Sequence, residues 1–268
     1  CILHFMRIFS RLLSGASDFA NLGVFALFGD KIVSQLFAAA CSVIFSMDIE
    51  EAQAYPKVID VLYIALESIC MNNITDLLSD ELNAETDVLG STLRVLKRGL
   101  RSKVVRIICC CAQSLDKLCT HQYNLMHKRR RPDTLPVNFT DAHIALLGEI
   151  MFDLWDLILL DHDMIHWTLC RPLFVLIQLL PDSFDHIRDI LIKSQSMVPG
   201  RAETLVGLFK DLSNGIDPSM RSENREKFTQ NALAFRNTCK PFLDFNALYK
   251  EMNIVDPNLV NAPTDGMS

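Results

Sequence analysis

The chain has 268 residues, 50% of them hydrophobic, and a formal net charge of -6 at pH 7. This length and apolar content allow a large buried core, arranged as one or two domains or as an array of repeats. The negative charge argues against direct nucleic-acid binding, because phosphate contacts need Lys and Arg concentrated on one face.

The N-terminal region has apolar residues at helical spacing from its first residues onward. Residues 1–14 predict a core helix rather than a signal peptide, because Arg7 and Arg11 interrupt the apolar run and no small-residue cleavage site follows. Asp30 is the predicted N-cap of the next helix. The apolar stripe of that helix consists of Val33, Leu36, Phe37, Ala40 and Ile44. Because the chain starts with Cys1 and not with Met, and the helical pattern begins at once, we interpret it as the C-terminal fragment of a larger protein.

The middle of the chain predicts helices in two antiparallel pairs. Apolar stripes run from Val58 to Ile69 and from Leu89 to Leu100, and these two helices form the first predicted pair. The second pair joins a helix from Val104 to Leu118 with one from Ile144 to Ile158. A polar break that contains proline, from Lys128 to Thr140, separates the helices of the second pair.

Two prolines and a serine mark predicted helix starts in the last third of the chain. Pro172 and Pro181 each fit the first turn of a helix, where the missing N–H group leaves no hydrogen bond unmade. Ser222 is a predicted N-cap of a final helix, and this helix turns Phe228 and Phe235 inward.

The sequence predicts an all-α fold, because helical spacing recurs throughout and strand-like alternation is nearly absent. Hairpin units of ~40 residues with short connections are typical of HEAT and armadillo repeats. We therefore predict a HEAT-like helical-hairpin solenoid, an armadillo-like α-α superhelix, over residues 1–240. The apolar pattern weakens after Lys240, which predicts a partly ordered C-terminal tail over residues 241–268.

The 9 cysteines favour free thiols in a reducing compartment, because their number is odd and three are adjacent. Consecutive helical residues point about 100° apart, so Cys109, Cys110 and Cys111 cannot converge on one zinc ion. We predict that they are small packing residues of the core. The most apolar stretch, from Ile32 to Met47, is shorter than the ~20 residues of a membrane-spanning helix, so no membrane insertion is predicted.

His162 and His166 form the one pair that resembles a catalytic motif, the metalloprotease pattern His-Glu-x-x-His. Asp163 stands where the longer Glu would have to reach a metal-bound water, and no third ligand is clearly placed. The sequence also has no Gly-rich phosphate loop and no nucleophile motif. We therefore predict that the chain is not an enzyme and holds no metal or cofactor, and we interpret the two histidines as a polar helix end or turn.

Two charged clusters are candidate contacts for protein partners. The first is basic and consists of Lys128, Arg129, Arg130 and Arg131. It fits a nuclear localisation signal or a contact with an acidic partner, and it also fits a solvated loop. The second is acidic and consists of Asp153, Asp156, Asp161 and Asp163. It fits an edge that steers a basic partner such as a GTPase or cargo, and it also fits a polar helix face.

Several segments resemble one protein family in their order and spacing. The longest segment runs from Trp167 to Arg236 and begins WTLCRPLFVLIQLLPDSFDHIRDILIKSQ. The others are Asn21 to Phe25, Phe28 to Asp30, Tyr55 to Lys57, and the cysteine-rich stretch from Cys109 to Leu118. In these segments the chain resembles the C-terminal end of the exportin 7 family, which belongs to the importin-β-like nuclear transport receptors. The likeness weakens across residues 131–140 and 239–266.

The resemblance implies a part of a nuclear export receptor. Such a receptor binds protein cargo together with the GTP form of Ran in the nucleus, passes the nucleoporins of the nuclear pore, and releases both ligands in the cytoplasm. It also implies a solenoid that bends as the ligands bind, which couples their binding free energies. In this family much of the Ran contact lies in N-terminal repeats, so the 268 residues alone are not expected to transport cargo.

Two alternative functions stay open at the level of sequence. A HEAT-type regulatory scaffold has the same architecture without any dependence on Ran. A metal-dependent hydrolase would use His162 and His166. Ran binding that depends on the nucleotide separates the receptor from the scaffold, and elemental analysis for zinc tests the hydrolase.

Overall fold

A computed structural model describes residues 2–13, 32–47, 52, 54–72, 74–78, 87–128, 139–160 and 166–251. All regular structure in these ranges is helical, with no strand, which confirms the all-α prediction. None of the helices described there is long and apolar enough to span a bilayer. The predicted N-cap Asp30 lies outside the described ranges.

The described helices vary from 4 to 24 residues in length. They are α1 (Ile2–Leu13), α2 (Ile32–Phe45), α3 (Pro56–Asn72), α4 (Ile74–Leu77), α5 (Val88–Leu100) and α6 (Val105–Lys128). The chain continues with α7 (Asp141–Leu160), α8 (His166–Leu179), α9 (Pro181–Ser194), α10 (Arg201–Leu212), α11 (Ser222–Cys239) and α12 (Phe245–Glu251).

The helices stack in two layers, as the hairpins of a solenoid do. In the first layer α1, α3, α6, α8 and α11 pack side by side in that order. In the second layer α2, α5, α7 and α9 pack side by side. Hairpin contacts between α5 and α6 and between α7 and α8 join the layers, and α10 packs against both α9 and α11. The predicted helical solenoid is confirmed.

The neighbouring helices α5 and α7 of the second layer run parallel, as their polar contacts show. Lys97 on α5 pairs with Glu149 on α7, and Arg101 pairs with Asp153 one turn further along both helices. The separation along the chain is 52 residues in both pairs, so α5 and α7 point in the same direction. This is the arrangement expected when each repeat is a hairpin and every second helix is equivalent.

The predicted helix pairs are wrong, although the helices themselves are present. The sequence pattern predicts that α3 pairs with α5 and that α6 pairs with α7. In the structure α5 packs against α6, α7 packs against α8, and α3 packs against α1 and α6. Periodicity locates the apolar stripe of each helix but not the helix that covers it, so both sets of pairs satisfy the same pattern.

A glycine allows three helices to meet where α5 approaches α6. A Cβ atom on Gly99 would lie 2.3 Å from the Cys111 Sγ atom of α6 and 2.5 Å from the Tyr63 ring of α3. The Tyr63 hydroxyl donates a hydrogen bond to the Val95 carbonyl oxygen of α5 (3.3 Å). Because neither neighbour leaves room for a methyl group, any larger residue at Gly99 would push these helices apart.

Asp87 caps α5 and ties it to α7. Its Oδ1 accepts a hydrogen bond from the Gly90 N–H (2.8 Å) and lies 2.8 Å from His143 Nε2. The Thr140 N–H donates to His143 Nδ1 (3.1 Å), so the ring proton is on Nε2 and donates to Asp87. Burial alone would raise the pKa of Asp87, but the hydrogen bonds from His143 and Gly90 outweigh it and hold the pKa below its usual value.

The predicted helix starts are confirmed at one proline and corrected at two other residues. Pro181 opens α9, whereas Pro172 lies inside α8. Packing of α8 against α6, α7 and α11 holds this helix together despite the lost hydrogen bond. The N-cap of α11 is Arg221, and Ser222 is the first helical residue.

Four aromatic rings from four helices form the core of the last hairpins. They belong to Trp155 on α7, Phe184 on α9, Phe209 on α10 and Phe235 on α11. Ring centroids of the contacting pairs lie between 4.8 Å (Phe209 to Phe235) and 6.3 Å (Trp155 to Phe184) apart. The Trp155 and Phe184 rings are stacked, and the other pairs are tilted or edge-on. The predicted inward residues Phe228 and Phe235 of α11 are both buried.

The short helix α12 lies in the region where the sequence analysis predicts only a partly ordered tail. It contacts α9 and buries Leu248 and Tyr249. Residues 252–268 lie outside the described ranges. The predicted boundary between the repeats and a tail at residue 240 therefore stays a prediction.

Candidate interaction surface

Asp153, predicted as part of an exposed acidic edge, is only 6% exposed. Arg101 donates hydrogen bonds to its Oδ1 from Nη2 (2.7 Å) and from Nε (3.2 Å). Burial raises the pKa of the Asp153 carboxyl above its usual value, and the hydrogen bonds from Arg101 offset part of that rise. The Asp153 carboxylate therefore joins α7 to α5 and is not part of an exposed edge.

The other members of the acidic cluster are less buried or lie outside the described residues. Asp156 is half-buried, and its Oδ1 accepts a hydrogen bond from the Tyr249 hydroxyl of α12 (2.7 Å). Asp161 and Asp163 lie in the segment between α7 and α8 that the structure does not describe. Partner contacts of these three residues stay predictions.

The basic cluster lies at the end of the longest helix. Lys128 is the last residue of α6, and its side chain lies outside the described part of the structure. The residues Arg129, Arg130 and Arg131 lie wholly outside the described ranges. Their role as partner contacts also stays a prediction.

His166 is a packing residue at the start of α8, with 7% of its surface exposed. Its Nε2 atom lies 3.4 Å from the Thr229 carbonyl oxygen of α11 and 3.4 Å from the Cys170 Sγ atom. His162 lies outside the described residues. In the described ranges, no group of three or more His, Cys, Asp or Glu side chains could hold a metal ion.

The adjacent cysteines lie on α6, with Cys110 and Cys111 buried and Cys109 half-buried. Burial raises the pKa of Cys110 to about 12 and that of Cys111 well above its usual value. A cysteine is a strong nucleophile or metal ligand only as the thiolate, so these two thiols are inert near neutral pH. The prediction of small buried packing residues is confirmed for Cys110 and Cys111.

Sequence reasoning missed a polar contact between α6 and α11. Arg225 Nη1 donates to Asp116 Oδ1 (2.6 Å), and Arg225 Nη2 donates to Thr120 Oγ1 (2.6 Å). Only 10% of the Arg225 side chain and 20% of the Asp116 side chain are exposed. One signal could have found it, because Arg225 shares its helix face with the core residues Phe228 and Thr229, and a charge on such a face needs a buried partner.

A second contact that the sequence analysis missed holds the segment before α12. Gln195 is 2% exposed, its Nε2 donates to the Asp244 carbonyl oxygen (3.0 Å), and its Oε1 accepts from the Asp244 N–H (2.8 Å). An open cavity of about 450 Å³ lies beside this contact, lined by Arg201 and residues 241–246. The Arg201 guanidinium lies 5.9 Å from the Phe242 ring centroid, so the cavity offers a cation next to an aromatic ring.

Three known proteins similar to this chain have names from nuclear transport. Exportin-7-B of Xenopus laevis is 24% identical over 232 residues, which cover 84% of this chain and 21% of that protein. Ran-binding protein 16 of Drosophila melanogaster is 26% identical over 231 residues, or 82% of this chain and 20% of that protein. Ran-binding protein 17 of Homo sapiens is 26% identical over 229 residues, with the same two shares.

The chain is similar to exportin-7 and to Ran-binding proteins 16 and 17 over more than four fifths of its length. The resemblance found in the sequence is thereby confirmed. The chain spans about a fifth of the length of these relatives. No family model and no solved structure matches it.

Proposed function

We propose that the chain is part of a nuclear export receptor that binds protein cargo together with the GTP form of Ran and carries it through the nuclear pore to the cytoplasm. The observation that carries the proposal is its similarity, over more than four fifths of its length, to proteins named exportin and Ran-binding protein. In this proposal the complete receptor also contacts nucleoporins, shuttles between nucleus and cytoplasm, and catalyses no reaction.

The two-layer solenoid supports this proposal physically. Each helix packs mainly against its neighbours in the same layer and in its hairpin. A small rotation at each of several junctions therefore changes the curvature of the whole array without opening any one core. Two ligands that favour the same curvature strengthen each other's binding, which is the coupling that joint loading of cargo and Ran requires.

The charged clusters that lie outside the described residues are part of the proposal. We assign partner contacts to the basic cluster Lys128 to Arg131 and to the acidic residues Asp161 and Asp163. Asp156 is included as a partner contact only through the part of its carboxylate that the hydrogen bond from Tyr249 leaves accessible. Asp153 is left out, because its carboxylate is buried against Arg101.

The test is a pull-down with the complete polypeptide that carries this chain, using Ran loaded with GTP or with GDP. We expect the GTP form to be retained and the GDP form to be lost in the wash. A variant with Arg129, Arg130 and Arg131 changed to Glu tests the basic cluster, and a variant with Lys103, Lys117 and Lys210 changed to Glu is its matched control on exposed helix surfaces and turns.

Equal retention of both nucleotide forms would refute the receptor and favour a HEAT-type scaffold. Nucleotide-selective binding that is unchanged in the Arg129 to Arg131 variant would keep the receptor and remove the basic cluster from its contacts.

A further inference from the structure

The last hairpins of this chain are joined by contacts that bypass their nearest neighbours. In a solenoid the angle between repeats is normally set by adjacent interfaces alone. Here α8 packs between α6 and α11, and those two outer helices do not form a packed pair of their own. Side chains nevertheless connect α6 to α11 directly.

The first of these connections is the segment from Pro218 to Arg225, here named the loop strap. Arg225 reaches Asp116 and Thr120 on α6, each at 2.6 Å. At the other end of the segment, the Pro218 carbonyl oxygen accepts a hydrogen bond from the Tyr123 hydroxyl of α6. The loop strap thus holds the start of α11 to the second half of α6, past the intervening α8.

The second connection is the segment from Asp244 to Glu251, here named the tail strap. The side-chain amide of Gln195, at the end of α9, hydrogen-bonds both the carbonyl oxygen and the N–H of Asp244. Tyr249 donates to Asp156 on α7 (2.7 Å), and Glu251 pairs with Lys193 on α9 (2.7 Å). The tail strap therefore connects α7 to α9, which otherwise pack less extensively than α5 and α7.

We infer that the loop strap and the tail strap, one on each layer, lock the helices from α6 to α12 at one curvature, so that this end of the solenoid moves as a rigid block. Changing the angle between α6, α8 and α11 would break the bonds of Arg225 and Tyr123. Changing the angle between α7 and α9 would break those of Tyr249 and Gln195. Because the inference concerns shape alone, it does not depend on the proposed function.

Hydrogen-deuterium exchange and small-angle X-ray scattering of the 268-residue chain test this inference. Arg225→Met removes the charge of the loop strap, and Tyr249→Phe removes the hydroxyl of the tail strap while keeping its buried ring. We expect amide exchange to become about tenfold faster or more in residues 218–225 for the first variant and in residues 244–251 for the second. The double variant should have a larger radius of gyration than either single variant.

Matched controls separate loss of a strap from general destabilisation. Lys227→Met removes a charge from the exposed face of α11, and Tyr55→Phe removes a hydroxyl from a ring that is 61% exposed. Neither should change exchange in the two straps. If Arg225→Met also speeds exchange in α3, Arg225→Lys replaces it, because Lys keeps the charge but cannot bond Asp116 and Thr120 with one planar group.

Two results would overturn the inference. One is unchanged exchange in residues 218–225 and 244–251 of the folded single variants. The other is a double variant with faster strap exchange but the radius of gyration of the unmodified chain, which would show that nearest-neighbour packing alone fixes the curvature.

Discussion

Arg101 and Asp153 should respond very differently to substitution, although they form one ion pair. The Asp153 side chain is 7% exposed, whereas the Arg101 side chain is 58% exposed. Arg101→Met leaves a carboxylate buried without its cation, whereas Asp153→Asn leaves a guanidinium that water can still solvate. Breaking a fully buried pair costs about 3–5 kcal/mol, and the exposure of Arg101 reduces this to about 2 kcal/mol for Arg101→Met.

For Asp153→Asn we expect a change in the free energy of unfolding within about 1 kcal/mol. The amide loses the charge-assisted bonds from Arg101, but it no longer carries a desolvated charge, and these two effects oppose each other. Urea unfolding at pH 7, followed by helical circular dichroism, measures both variants. Equal destabilisation by the two substitutions would refute the reasoning, because it would show that the pair contributes symmetrically.

The pH dependence gives an independent check on Asp153. The folded-state pKa of its carboxyl is raised above 3.8, so between pH 3.8 and that folded-state pKa this carboxyl binds more protons in the native chain than in the unfolded chain. The contribution of Asp153 to stability is therefore fully present below that window and is lost as pH rises through it. Asp153→Asn lacks this loss, so its stability relative to the unmodified chain should increase with pH across the window. A difference that stays constant with pH would contradict the raised pKa.

Three further substitutions test the core and one turn. Leu154→Asp places a carboxylate at a fully buried position and should lower the free energy of unfolding by at least about 4 kcal/mol. The control is Leu233→Asp at a position that is 40% exposed, which should lower it by less than about 1 kcal/mol. Thermal and urea unfolding measure both variants. Gln122 is fully buried, and its amide has no hydrogen-bond partner in the described ranges. Gln122→Met should therefore raise the urea midpoint by the equivalent of about 1–3 kcal/mol, and a lower midpoint would argue against an unsatisfied amide. Gly200 has a φ of 84°, so Gly200→Ala should destabilise the fold by about 1 kcal/mol. Gly207 lies inside α10 with open space around it, so Gly207→Ala should stabilise the fold by about as much. Changes of the same sign in both variants would refute the backbone argument.

The helices and much of the core could be predicted from the sequence because the buried face of a helix has apolar residues at a spacing of three or four. Leu154 and Phe228 lie on such stripes, and both are buried. No such spacing identifies the partner of a buried polar residue. Arg101 lies 52 residues from Asp153, and Arg225 lies 109 residues from Asp116, so spacing along the chain cannot connect them.

Asp153 shows why one member of the predicted acidic edge is buried. The residues around it, from Met151 to Trp155, are all buried, because α7 is enclosed by α5, α8 and α9. In this stretch of α7 no side chain is exposed, so a carboxylate within the apolar run is a buried ion pair and not a surface charge. The apolar residues next to Asp153, three before it (Ile150 to Phe152) and two after it (Leu154 and Trp155), were the available signal. The order of the hairpins was not available at all, since the stripes fit several pairings equally well.

The distribution of polar contacts indicates where this solenoid can bend. Between α3 and α6 the described ion pair is Asp60 with Arg106, whose side chains are 38% and 62% exposed, and such a pair contributes at most about 1 kcal/mol. Between α6 and α11 the side chains of Asp116 and Arg225 are each four-fifths or more buried, so breaking their ion pair costs much more free energy. Ligand-linked changes of curvature should therefore concentrate before α6, where the described ion pair is solvated. A rotation localised between α8 and α11 in the liganded protein would be incompatible with an intact Arg225 contact.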